Sequence, residues 1–311
     1  MVPDMSYSES SKQTGRAKAI PQQGESKPTD SSGQVAPGLY IIATPIGNLR
    51  DITLRAIDTL NAVDEVLAED TRTARKLFNA HAIDTKLTPY HDHNGAVRRP
   101  EVLKKLQDGA KIALISDAGT PLVSDPGWKL VHEAAAAGVD IIPLPGASAM
   151  LAGLVTSALP SDRFMFCGFL PPKKGARQKA LQDLSNVPAT LIFYESGPRL
   201  IASLQDMSDI LGSERNAAVA RELTKLFEET RRGTLGELAA HYRDAGKPKG
   251  EIVVLIGPPP ASEGPDAETL NALLIEALKT QPTKAAANEI AARFNLPKRD
   301  VYQRALSLKN G

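Results

Sequence analysis

From Gly38 onward the chain alternates short apolar runs with amphipathic stretches. Leu39-Tyr40-Ile41-Ile42-Ala43, Glu65-Val66-Leu67-Ala68, Lys111-Ile112-Ala113-Leu114-Ile115 and Val139 to Leu144 are too short for helices and rich in Val, Ile and Leu, so each predicts a strand. Helical spacing falls between them, near Thr53 to Asn61, at Trp128 to Ala137 before the stop at Gly138, and again after Pro145-Gly146. This alternation predicts an α/β lobe with a mostly parallel sheet over residues 37–159. A second set follows at Phe164 to Phe169, Ala189 to Tyr194, Asn216 to Arg221 and Glu251 to Ile256, with a hairpin near Phe227 to Leu235, predicting a second α/β lobe over residues 160–257. Pro258-Pro259-Pro260 opens a stiff linker, residues 258–265. Residues 266–311 predict a helical module, in which a break at Asn295-Leu296-Pro297 separates two helices at helix-turn-helix spacing. Residues 1–36, built of Ser, Gln, Gly, Pro and balanced charge, predict a disordered leader.

Composition narrows the function classes. Lys+Arg 37 against Asp+Glu 36 leaves a net charge of +1, so no global field draws the chain to nucleic acid and any such contact must be local. Residues 282–311 are one such place, with Lys284, Arg293, Lys298, Arg299, Arg304 and Lys309 against Glu289 and Asp300. The single cysteine, Cys167, excludes an intramolecular disulfide and a multi-cysteine metal site, and it suits a reducing cytoplasm. The uncharged stretch from Ile141 to Ser161 is about as long as a membrane span, roughly 20 residues. Pro143, Pro145, Gly146 and Pro160 break it, so it predicts a buried strand, a turn and a buried helix. No apolar signal core opens the chain, and a cytoplasmic location with no membrane partner is expected.

Candidate chemistry collects in the loops that follow the strands of the first lobe. In open α/β sheets ligands sit at the carboxyl ends of the strands. Thr44-Pro45-Ile46-Gly47-Asn48, Glu69-Asp70-Thr71-Arg72, Ser116-Asp117-Ala118-Gly119-Thr120-Pro121 and Pro145-Gly146-Ala147-Ser148-Ala149 should therefore converge on one rim. No GxGxxG, GxxxxGK[ST] or HExxH occurs. His91-Asp92-His93 reads as a solvated loop or, less simply, as two imidazoles for a metal with no third ligand marked; no metal is expected. In Tyr194-Glu195-Ser196-Gly197-Pro198-Arg199 a strand gives way to a helix that Ser196 can cap. Glu195 and Arg199 there suit either a substrate or an ion pair. Lys173, Lys174, Arg177 and Lys179 suit either phosphate contacts or a solvated helix face.

Together with the charged run Arg221 to Glu229, these loops resemble the tetrapyrrole-methylase superfamily and, within it, the ribosomal small-subunit methyltransferase I branch. The resemblance runs from Gly38 to Gly257 and extends to the helical tail. It implies a two-lobed fold with S-adenosylmethionine held between the lobes, and transfer of its methyl group to the ribose 2′-oxygen of a decoding-centre cytidine in 16S rRNA. It also implies the 30S subunit as partner and a homodimer. Residue by residue, it places the cofactor against Pro45, Asp117, Thr120, Ser148, Ala149, Tyr194, Glu195 and Leu223. Porphyrin-methylating relatives carry Gly-Gly-Asp where this chain has Ile115-Ser116-Asp117, and Gly-Pro-Gly where it has Thr44-Pro45-Ile46, which favours the RNA branch. A ribose hydroxyl needs help to lose its proton, and Glu195, Glu222 and Lys225 are the candidates, the lysine only if its pKa is lowered. A small-molecule methyltransferase of the same fold and a non-catalytic RNA-binding assembly factor are the alternatives.

Overall fold

The computed structural model describes residues 35–260, 265–294 and 296–310. All but the last two residues of the expected leader, and residues 261–264 of the linker, lie outside that range.

The first sheet contains β1 (Gly38–Ile42), β2 (Glu65–Ala68), β3 (Leu87–Pro89), β4 (Lys111–Ile115) and β5 (Ile141–Leu144). They lie in the order β3-β2-β4-β1-β5 and every pairing is parallel. Parallel strands are covered on both faces, and side-chain alternation divides the same strands between two cores. Tyr40, Ile42, Val66, Ala113 and Ile115 pack against α1 (Leu54–Ala62) and α2 (Thr71–Ala80) through Leu60, Leu77 and Phe78. Leu39, Ile41, Leu67, Ile112 and Leu114 meet α3 (Asp92–Gln107) and α4 (Trp128–Ala136) through Val102, Leu106, Leu130 and Ala134. The helix expected over Thr53 to Asn61 thus runs one residue later, because the Thr53 hydroxyl caps it by accepting the Ala56 N–H at 3.1 Å. His91 is the residue before α3 and caps it, so the segment from His91 is a helix start where a loop was expected.

One buried carboxylate ties this lobe together. Glu65 opens β2 and is met by the Thr88 hydroxyl, by Lys105 at 3.0 Å and by Lys86 at 3.0 Å. Burial opposes its charge, yet these hydrogen bonds hold its pKa at about 2, below the ordinary 4.5. A depressed folded-state pKa means that the stabilisation is fully present above about 4.5 and is lost as pH falls toward 2. Glu65→Gln should therefore lower stability at pH 7 and flatten its decline between pH 5 and 2 in urea titrations. An unchanged acid limb would remove Glu65 from the acid response.

The second sheet contains β6 (Phe164–Phe169), β7 (Thr190–Ser196), β8 (Asn216–Arg221), β9 (Glu229–Thr234) and β10 (Glu251–Ile256), in the order β6-β7-β10-β8-β9. Only β6 and β7 are parallel. Where a hairpin was expected near Phe227 to Leu235 there is one strand, β9, which pairs antiparallel with the preceding β8 across residues 222–228. On one face α6 (Lys174–Leu184), α7 (Gly197–Leu211) and α8 (Leu235–Ala245) bury Leu181, Leu204 and Leu238. The other face receives α5 (Ala149–Ser157), which leaves β5 of the first sheet and packs Leu154 against Ile192, Ala218 and Val253. By its packing α5 belongs to the second lobe, so the first sheet's last loop delivers the chain directly onto the second. Arg177 is no phosphate ligand: it is buried in an ion pair with Asp206 at 2.6 Å.

The tail folds as α9 (Ala267–Leu278), α10 (Thr283–Arg293) and α11 (Lys298–Asn310) around Leu274, Ile290, Val301 and Ala305. Arg304 is consumed structurally, donating to Asn271 Oδ1 at 2.6 Å and to the Ala267 carbonyl at 3.1 Å. Lys284, Arg293, Lys298, Arg299 and Lys309 stay exposed.

Candidate active site between the two sheets

The loops after β1, β4 and β5 do converge. Thr44 and Gly119 exchange backbone hydrogen bonds of 2.9 Å, joining the first two loops, and the Thr120 hydroxyl donates to the Ala147 carbonyl of the third at 3.3 Å. Facing them across a cleft of about 350 Å³ are the carboxyl end of β7 and the amino end of β10. Thr120, Ser148, Ala149, Tyr194, Glu195 and Leu223 line this cleft. Pro45 and Asp117 do not. Pro45 is buried, and Asp117 turns aside to accept the Asp70 N–H at 3.0 Å.

The three candidate proton acceptors differ sharply. Glu195 is buried and reaches the cleft, but both its oxygens are engaged: Oε1 accepts the Ser196 N–H at 2.8 Å and sits 3.4 Å from the Arg199 guanidinium, and Oε2 accepts the Ser203 hydroxyl at 2.5 Å. Ser196 stands before α7, yet its side chain makes no capping bond. Glu222 and Lys225 lie behind the cleft wall in a closed cluster. Lys225 Nζ donates to Glu222 Oε1 at 2.9 Å and to Glu251 Oε2 at 2.8 Å, and the Glu251 N–H reaches Glu222 Oε1 at 3.0 Å. Burial disfavours the Lys225 ammonium, but the bonds to Glu251 and Glu222 outweigh it and raise the pKa. The Lys225 hydrogen bond lowers that of Glu222. Lys225 is therefore a held cation, the reverse of what a lysine base requires.

The same cluster shapes the wall. Glu222 and Thr224 have φ of 52° and 65°, a left-handed conformation that costs non-glycine residues of order 1–3 kcal/mol each and persists only where neighbours enforce it. Here the Asn48 N–H donates to Thr224 Oγ1 at 3.1 Å across the lobes, and Glu228 accepts the Thr224 N–H at 2.6 Å. Between the two strained residues, Leu223 is pressed into the cleft. Gly250, at φ 99°, lets the backbone pass: a Cβ there would lie 2.4 Å from the Glu222 carboxyl carbon.

Comparison with known proteins places the arrangement. Residues 38–239 match the family described as Tetrapyrrole (Corrin/Porphyrin) Methylases, and residues 263–309 match the RsmI C-terminal HTH domain. The chain is 52% identical over 274 residues to a ribosomal RNA small subunit methyltransferase I of Mesorhizobium japonicum, covering 88% of this chain and 93% of that protein. It is 44% identical over 277 residues to the protein of that name from Synechocystis, covering 87% and 98%. The chain belongs to the ribosomal RNA small subunit methyltransferase I family. A solved diphthine synthase shares the fold at TM-score 0.56 and 14% identity, covering 70% of this chain and 89% of its own. A uroporphyrin-III-C-methyltransferase from Thermus thermophilus does so at 0.51 and 18%, covering 71% and 94%.

In this small subunit methyltransferase I family member the cleft also holds residues that no motif announced. Asp125 lines it from the loop before α4, and Glu251, Ile252 and Val253 line it from β10. Asp125-Pro126-Gly127 is a turn signal, so that loop was visible in the sequence although its role was not. Burial raises the pKa of Asp125, against a lowering hydrogen bond from Ser116. Among the described residues no group of three His, Cys, Asp or Glu could hold a metal ion, and the side chains of Asp92 and His93 lie outside them.

Proposed function

We propose that this chain transfers the methyl group of S-adenosylmethionine to the ribose 2′-oxygen of a decoding-centre cytidine of 16S rRNA in the assembled 30S subunit. The observation that carries the reading is the inter-lobe cleft together with the named relatives, which share 44–52% of their residues with this chain over most of its length. The residues present fit the cofactor. Apolar Ile46, Phe169, Leu223 and Val253 would enclose its flat and aliphatic parts, and Glu251 supplies a carboxylate suited to a sulfonium cation. When bound, that sulfonium supplies an electrophilic methyl group. The protein's own contribution is positioning and proton handling. Glu195, with its oxygens committed, orients the strand end. Asp125, partly exposed in the cleft, is the carboxylate placed to take the hydroxyl proton, a role worth on the order of 10²–10⁴ in rate. Asp125→Asn should lower kcat by about that factor and keep cofactor affinity; a kcat within a few-fold of wild type would exclude it as the base.

Unmodified 30S subunits and cofactor carrying labelled methyl test the reaction. A 2′-O-methyl group blocks attack of that oxygen on the adjacent phosphate, so alkaline hydrolysis should leave one protected linkage 3′ to the target cytidine. Label that follows the free base after glycosidic cleavage would refute the ribose assignment, and label entering uroporphyrinogen alone would refute the RNA assignment. The exposed cations of the α9–α11 module support a docking role. Removing residues 266–311 should weaken subunit binding and reduce its salt slope by about 0.7–0.9 for each phosphate that the module neutralises.

A further inference from the structure

A second cavity, about 420 Å³, adjoins the cleft between the start of α3 and the loop entering α4. Tyr90, His91, Arg99, Asp125, Trp128 and Lys129 line it. Asp125 lines the cleft as well, so one carboxylate forms the wall between the two spaces. Trp128 is the single tryptophan of the chain and is 63% exposed, although tryptophan is among the most heavily buried side chains on average. Its indole stacks on His132 one turn further along α4, with centroids 5.4 Å apart and planes 15° from parallel, so the ring is held in place while it remains accessible. Gly127 fixes the entry to the helix: its φ is 120°, and a Cβ would lie 2.7 Å from Leu114 Cδ2. Arg99 is pinned by Glu133 at 2.7 Å, and Lys129 follows the tryptophan directly. A preoriented indole beside two cations and a carboxylate is a poor receptor for an apolar molecule. It suits a single-stranded nucleotide, whose base stacks on an aromatic ring while its phosphates stay near positive charge.

We propose that this cavity receives the acceptor nucleotide of the RNA, its base stacked on Trp128 and its sugar facing Asp125 at the junction with the cleft. The inference rests on the proposed methyl transfer to RNA and assigns where the acceptor sits. Because the chain has no other tryptophan, its fluorescence reports this cavity alone. Titrating the full chain, saturated with S-adenosylhomocysteine, with a short single-stranded oligoribonucleotide containing cytidine should quench the emission saturably. In methylation of 30S subunits, Trp128→Ala should raise KM roughly 5- to 150-fold, the equivalent of about 1–3 kcal/mol of base stacking, while S-adenosylmethionine affinity stays unchanged and Trp128→Phe recovers most of the loss. Equal quenching by S-adenosylmethionine without RNA would give the cavity to the cofactor's adenine and overturn the proposal. Wild-type methyl transfer with an unchanged KM in Trp128→Ala would overturn the subsite alone. No transfer to RNA by the wild-type chain would overturn the reading beneath it and the subsite with it.

Discussion

Thr120→Trp is expected to abolish S-adenosylmethionine binding while the protein stays folded. Thr120 is half-buried on the cleft rim, where its hydroxyl donates to the Ala147 carbonyl at 3.3 Å. It belongs to none of the buried clusters that hold the two sheets, so an indole there projects into the 350 Å³ space without entering a core. Surface-loop changes of this kind usually alter stability by about 0.5 kcal/mol or less. Loss of the space should cost at least about a hundredfold in affinity, roughly 2.7 kcal/mol. Titration calorimetry gives the affinity and circular dichroism checks the fold. Wild-type affinity in a folded variant would remove the loop after β4 from the cofactor site.

The largest effect on stability should come from Asp206→Ala. Asp206 and Arg177 are both almost fully buried between α6 and α7, with the guanidinium donating through Nε at 2.7 Å and a second contact at 2.6 Å, and Gln178 adds a bond at 3.0 Å. The attraction within such a pair is largely offset by the desolvation of both ions. Removing the carboxylate alone leaves a buried cation with no counter-charge, which costs about 3–5 kcal/mol. Urea unfolding should show the destabilisation. The double variant Arg177→Met, Asp206→Leu, which removes both charges, should recover most of it. A single-variant change below about 1 kcal/mol would mean that water reaches Arg177 and the site is not dry.

What the sequence alone determined was the set of elements whose signal is local. The strands β1, β2, β4, β7, β8 and β10 were readable within a few residues, because continuous apolar runs of three to five residues reflect burial on both faces. The turn loops after β1, β4 and β5 were equally plain, since Gly and Pro mark them, and so was the break between α10 and α11. Elements made by tertiary contact were not readable. β3 is three residues including Pro89 and exists because β2 pairs with it, and α3 carries Pro100 in its interior and a weak apolar stripe. The site divides the same way. Thr120, Ser148, Ala149, Tyr194, Glu195 and Leu223 stand on or beside motifs and reach the cleft. Asp125 reaches it from the long loop before α4, and Glu251 and Val253 reach it only because α5 crosses from the first sheet to the second and brings β10 opposite the rim. The state of Lys225 was beyond the sequence for a related reason: charge depends on partners in space, and Glu251, 26 residues away, supplies one of the two that hold its proton.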